Sequence, residues 1–173
     1  RGTHKPIAAS EAQAILKTYV KPKAEVKRTE PDGSVTNSAF DKTYYLPLLK
    51  NLRRRNILTE TQCGILLCFI LHSTETRRDG TSYIAHPMAV ANLVRKYGRR
   101  EKMSDENIWM ATLAALLHDS AEESNIDLEN DLDGLLPPRV IQAVKLLHKI
   151  KGKGQPKEKY YDYIERLAND PLA

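Results

Sequence analysis

Residues 104–119 read Ser104-Asp105-Glu106-Asn107-Ile108-Trp109-Met110-Ala111-Thr112-Leu113-Ala114-Ala115-Leu116-Leu117-His118-Asp119, and this stretch decides the fold. Ser104 is a short side-chain acceptor of the kind that caps a helix N-terminus. Behind it Ile108, Trp109, Ala111, Leu113, Ala114, Leu116 and Leu117 cover most of the surface of one helix. A helix that is apolar nearly all round has no face to offer to water, so other helices must enclose it. The stretch therefore predicts the central helix of a bundle. Its abrupt change to His118-Asp119 marks where polar groups enter an apolar interior.

Working outward, the same periodicity recurs on both sides. Pro87 suits a first helical turn, where a missing N–H costs nothing, and Gly98 is expected to stop the helix it begins. Between them Met88, Val90, Ala91, Leu93 and Val94 predict an apolar face. Residues 73–85 form a polar loop. Thr59-x-x-Gln62 is a capping-box signature that opens a helix running through His72. Tyr44 to Arg55 is apolar and then basic. On the C-terminal side a short helix is expected over Leu128–Leu132, and Pro137-Pro138 begins another that reaches about His148. Lys151 to Pro156 is a Gly- and Lys-rich loop, and Lys157 to Leu167 is the last helix.

Residues 1–40 differ. They are Lys-rich, poor in large apolar side chains, and carry the turn signal Pro31-Asp32-Gly33-Ser34. Ser10 to Val20 predicts a short helix, and Glu25 to Ser38 either a hairpin around that turn or a flexible arm. The expectation is an all-α bundle over 41–173, preceded by an arm.

Composition bounds the function. The chain has 173 residues, enough for one compact domain, with 41% hydrophobic and 28% charged residues, as in a globular protein. No apolar run approaches the roughly 20 residues that span a bilayer. No charged-then-apolar signal segment opens the chain, which predicts a cytoplasmic protein without a membrane partner. Cys63 and Cys68 lie on different faces of one apolar helix and are read as small core residues, unpaired with each other. The net charge of +5 suits a nucleic-acid binder, a pocket for a polyanionic small molecule or a merely basic surface. No basic stripe is interleaved with aromatics, so nucleic acid is not expected as a partner.

Chemistry is read from the polar residues that interrupt the apolar pattern. Burying a carboxylate beside an imidazole is costly unless something pairs them, and a divalent cation would pair His118 and Asp119 together. Adjacent side chains on a helix point about 100° apart, so they converge only on an atom off the helix end. A third ligand from another helix would meet them there. His86, directly before Pro87 and behind the local apolar stretch Tyr83-Ile84-Ala85, is the candidate.

Two long motifs carry a resemblance. Arg77-Arg78-Asp79-Gly80-Thr81-Ser82-Tyr83-Ile84-Ala85-His86-Pro87-Met88-Ala89-Val90-Ala91 resembles the R-K-x-G-x-x-Y-I-x-H-P-x-x-V-A segment of RelA/SpoT-type HD hydrolase domains. Leu116-Leu117-His118-Asp119-Ser120-Ala121-Glu122-Glu123-Ser124 is similar to that family's L-L-H-D-x-x-E-D-T, in the same order and at a comparable separation. His72 matches the start of the family's H-x-G-Q-x-R stretch, with Thr74 and Glu75 replacing Gly and Gln. The resemblance covers about His72 to Ala173, and the chain's size points to the small, single-domain alarmone hydrolases.

The resemblance implies an HD-domain helical bundle that removes the 3′-pyrophosphate of (p)ppGpp or (p)ppApp. It implies one divalent metal, usually Mn2+, on His86, His118 and Asp119. Glu122 and Glu123 would orient and deprotonate the attacking water, with Glu123 where the family usually has Asp. Arg77 and Arg78 would line the nucleotide pocket, and Asp79 stands near the base position. His72 is read as structural. Lys149, Lys151 and Lys153 belong either to the pyrophosphate site or to a solvated loop. The family's fourth metal ligand, an Asp in a later helix, is expected beyond Ala173, so the C-terminus reads as incomplete, and Asp170 is not taken as that ligand. A small-molecule nucleotide is the expected partner, and a monomer or homodimer the expected state. Two other readings stand beside this one. The first is an HD phosphohydrolase of another nucleotide, 5′-nucleotidase or dNTPase-like. The second is a catalytically degenerate nucleotide-binding module.

Overall fold

The computed structural model describes residues 41–72, 77, 80–120, 126–148 and 159–170, two strands at 26–29 and 35–38, and the isolated residues Ser10, Ala14, Lys17 and Thr18. The expected helix over Ser10–Val20 lies largely outside the described residues. β1 (Val26–Thr29) and β2 (Val35–Ser38) pair antiparallel, Val26 opposite Ser38 and Thr29 opposite Val35, so the N-terminal segment contains the hairpin. The turn Pro31-Asp32-Gly33-Ser34 between the strands lies outside the described residues.

The rest is helical: α1 (Lys42–Arg54), α2 (Glu60–Leu71), α3 (Ala85–Arg100), α4 (Asp105–Leu117), α5 (Pro138–Leu147) and α6 (Tyr160–Ala168). Their starts follow local chemistry. The Asp41 side chain accepts from Thr43 N at 3.0 Å at the head of α1. At α2 both arms of the capping box form, Gln62 N to Thr59 Oγ1 at 3.2 Å and Thr59 N to Gln62 Oε1 at 3.0 Å. Ser104 caps α4 by accepting from Asn107 N at 3.2 Å. Pro138 occupies the first turn of α5.

α4 is the centre of the bundle and packs against α2, α3 and α5. Ile108 and the unbroken run Ala111–Leu117 are buried on it, and α2 buries every residue from Cys63 to Leu71. Each fully enclosed Leu or Ile contributes about 1.5–3 kcal/mol relative to exposure. Trp109 fastens the α2–α4 seam by donating Nε1–H to Thr61 Oγ1 at 2.9 Å. Cys63 and Cys68 are both buried, and no disulfide joins them.

Three expectations are corrected. Gly98 does not stop α3; it lies within the helix against α4, where an added Cβ would come 2.8 Å from Ile108 Cγ1. The helix ends instead at Arg100, and Lys102 turns the chain with φ 56°. Leu93 is 49% exposed rather than part of the apolar face, because it lies two residues, about 200°, from buried Ala91. The short helix expected over Leu128–Leu132 is a run of turns. There the Asp127 carboxylate takes Glu129 N and Asn130 N, each at 3.1 Å, and Gly134 has φ +75°. Short acidic side chains that bond the backbone compete with helix propagation.

Candidate metal centre

The centre forms where the N-terminus of α3 meets the C-terminus of α4. α4 ends at Leu117, and His118 is its C-cap residue, still with helical backbone. Ser120 Oγ closes the helix end by donating to the Leu117 carbonyl at 2.6 Å. The next side chains therefore leave the helix as a pair aimed past its end. Across the gap His86 sits in the first turn of α3, one residue before buried Pro87. The turn that delivers it starts at Arg77, where Arg77 N bonds Thr81 O at 2.8 Å and Gly80 N bonds Arg77 O at 2.9 Å. Gly80 adopts φ +80°, which glycine takes at little cost.

His86, His118 and Asp119 converge, with ligand atoms all within 4.8 Å of one another. His118 Nε2 lies 3.2 Å from His86 Nε2 and 3.1 Å from Asp119 Oδ2, and His86 Nε2 is 3.6 Å from the same oxygen. Ligands about 2.1 Å from one ion, at angles between 90° and tetrahedral, stand about 3.0–3.4 Å apart. Two of the three separations fall in that window, and the third, 3.6 Å between His86 and Asp119, lies just above it. The three side chains are 37%, 21% and 25% exposed, so the cluster is open on one side.

Hydrogen bonding orients the set. His118 Nδ1 donates to the Ala115 carbonyl at 2.7 Å, and since a carbonyl only accepts, Nε2 is the nitrogen turned to the site. Tyr83 donates its phenol hydrogen to Asp119 Oδ2 at 2.5 Å. Burial pushes the Asp119 carboxyl up, but hydrogen bonding to His118 and Tyr83 and the nearby imidazoles outweigh it and hold the group at about 2. Burial, then neighbouring His118, lowers His86 against the opposing pull of Asp119, which favours the neutral imidazole that a metal requires.

Arg77 is exposed, and its charge acts on His86, so it lies on this side of the molecule. Arg78, Asp79, Glu122, Glu123, Lys149, Lys151 and Lys153 lie outside the described residues. Asp170 is held elsewhere, in a two-pronged pair with Arg139 at 2.7 and 3.0 Å. His72 is fully buried, its ring 4.9 Å from that of Tyr83. In the sequence Tyr83 stands out only as part of a local apolar stretch. Its place three residues before His86 was the available signal, but its hydroxyl's target is set by tertiary structure.

The helical bundle thus brings together, at a helix junction, a His/His/Asp cluster that could hold a metal ion. The chain is similar to enzymes of RelA/SpoT type. It is 32% identical over 102 residues to the guanosine-3′,5′-bis(diphosphate) 3′-pyrophosphohydrolase of Aquifex aeolicus, covering 58% of this chain and 14% of that protein. It is 41% identical over 64 residues to a probable enzyme of the same name from Synechocystis, covering 36% and 7%. It is 32% identical over 104 residues to a probable GTP pyrophosphokinase of Mycobacterium leprae, covering 58% and 12%. The matched region is thus a small fraction of each of these relatives. No family model and no solved structure matches the chain. Among the described residues no helix is long and apolar enough to cross a membrane.

Proposed function

We propose that the domain over 41–173 hydrolyses the 3′-pyrophosphate of alarmone nucleotides, (p)ppGpp or (p)ppApp, using one manganese ion held by His86, His118 and Asp119. The observation that carries this reading is the triangle of two imidazole nitrogens and a carboxylate oxygen, spaced as the ligands of a single ion. The similarity to proteins named as 3′-pyrophosphohydrolases supports the substrate class. Bound there, a divalent ion would lower the pKa of water and polarise a phosphoryl oxygen.

The protein's own groups do the rest. Asp119 stays ionised, and the Ala115 carbonyl keeps His118 Nε2 facing the site. Glu122 and Glu123, one turn beyond the ligands in sequence, would orient water and take its proton. Arg77 and Arg78 would fork to phosphate oxygens or stack on the purine, with Asp79 beside the base. The protein would act in the cytoplasm, as a monomer or homodimer.

The test is incubation with ppGpp and ppApp, with and without Mn2+. Manganese-dependent release of pyrophosphate and the nucleoside 5′-diphosphate, lost in Glu122→Gln, is the expected result. A folded protein that binds manganese yet releases no pyrophosphate from either nucleotide would overturn the substrate assignment.

A further inference from the structure

Tyr83 makes contacts on three sides of the centre. Its phenol hydrogen goes to Asp119 Oδ2. Its ring lies against fully buried His72, centroids 4.9 Å apart and planes inclined by 34°. It also meets the His86 ring edge-on at 6.0 Å. One side chain thus touches two members of the triangle and is backed by a residue that cannot move without disturbing the core. The oxygen it donates to is the one nearest both imidazoles, 3.1 Å from His118 and 3.6 Å from His86.

We infer that Tyr83 is a positioning residue, which holds the Asp119 carboxylate in its ligating rotamer before any cation arrives. A carboxylate oxygen has two lone-pair directions, so the phenol can occupy one while the other remains aimed between the imidazoles. Asp119 begins a segment beyond the end of α4, where a free carboxylate has several staggered rotamers open to it. A donor fixed by His72 restricts that choice in advance, so the ligand set is assembled rather than recruited. Hydrogen-bonded partners of ligands have this effect generally, and their loss lowers metal affinity about 10- to 100-fold.

This inference rests on the assignment of His86, His118 and Asp119 as metal ligands, and not on the identity of the nucleotide. The experiment is calorimetric titration of Mn2+ into the full chain, wild type and Tyr83→Phe, with circular dichroism as a check on folding. Tyr83→Phe keeps the ring on His72 and deletes only the donor. A tenfold or greater loss of Mn2+ affinity at unchanged melting temperature is expected, with any alarmone hydrolysis recovering as Mn2+ approaches saturation. A merely structural role would lower the melting temperature and would not be rescued by metal. Wild-type affinity in a folded Tyr83→Phe protein overturns the inference. Should Tyr83→Phe fold poorly, Tyr83→Leu, which keeps apolar bulk and carries no donor, is titrated in its place under the same criterion. A wild-type chain that takes up no Mn2+ overturns both this inference and the ligand assignment. A wild type that binds Mn2+ but spares alarmones overturns the substrate alone and leaves the Tyr83 comparison to stand on its affinities.

Discussion

α2 and α4 are close to twins in sequence character, and they end differently. Each is apolar on nearly every side, and each has a histidine as its C-cap residue, His72 after Leu71 and His118 after Leu117. Yet His72 is fully buried behind Tyr83, whereas the His118 side chain is 21% exposed and turned toward His86 and Asp119. The difference lies in what faces each helix end. α4 points at the start of α3 and is followed at once by a carboxylate, while the end of α2 is covered by the ring of Tyr83. A histidine closing an apolar helix is therefore not a sign of chemistry in itself. The partner opposite it decides whether it supports or ligates.

The largest expected effect separates the two histidines. His118→Ala removes a ligand of the proposed metal site, so manganese affinity in calorimetry should fall by more than about 100-fold, the upper range for losing a supporting partner. Folding should survive, because that side chain is part-exposed. His72→Ala should do the reverse, costing about 2–4 kcal/mol in urea unfolding by leaving a cavity in the core. Its metal affinity should change less than that of Tyr83→Phe. If the two variants gave the same profile, the contrast between the helix ends would be wrong.

A smaller effect tests the seams around α4. Gly98→Ala gains up to about 1 kcal/mol of helix propensity but drives a methyl against Ile108, for which overpacking costs about 1–3 kcal/mol. Net destabilisation of about 1 kcal/mol in thermal unfolding is expected, and a more stable variant would show that the α3–α4 contact yields. Next comes the head of α2: Thr59→Ala should cost about 1 kcal/mol through the lost cap.

The smallest effect is a pH limb that α2 has and α4 lacks. Burial pushes the Cys63 thiol up to about 12, against an ordinary value of 9.0. Above pH 9 the unfolded chain releases this proton while the folded chain keeps it, so the contribution is complete below 9 and drains away as pH rises toward 12. Between pH 8 and 10 about 1 kcal/mol should disappear, and Cys63→Ala should flatten that part of the stability curve.

Much of the helical frame was legible because its signals are local. The Thr59–Gln62 box, Ser104 and Pro138 announce helix starts, and apolar content all round α2 and α4 announces enclosure. Gly98 is ambiguous in sequence because one residue type serves both helix termination and close packing, and only the neighbour, Ile108, distinguishes them. Leu93 is apolar in type but its angular position, about 200° from Ala91, puts it on the exposed side. Over Leu128–Leu132 apolar spacing suggests a helix, and the backbone-bonding Asp127 just before it favours turns instead. In the centre, the meeting of His86, His118 and Asp119 followed from their placement at helix ends. The Tyr83 hydroxyl could not be aimed from sequence, since its partner lies 36 residues away.

The last helix has no buried residue, and its ties to the bundle include polar ones. Arg166 reaches the carbonyls of Leu146 and His148, Tyr163 donates to Leu147 O at 3.0 Å, and Arg139 clasps Asp170. Such a joint answers to ionic strength as an apolar seam does not, because counterions compete for its charges. α6 is thus set to loosen as a unit while the remaining helices hold, exchanging its amide protons by a local opening instead of a global one.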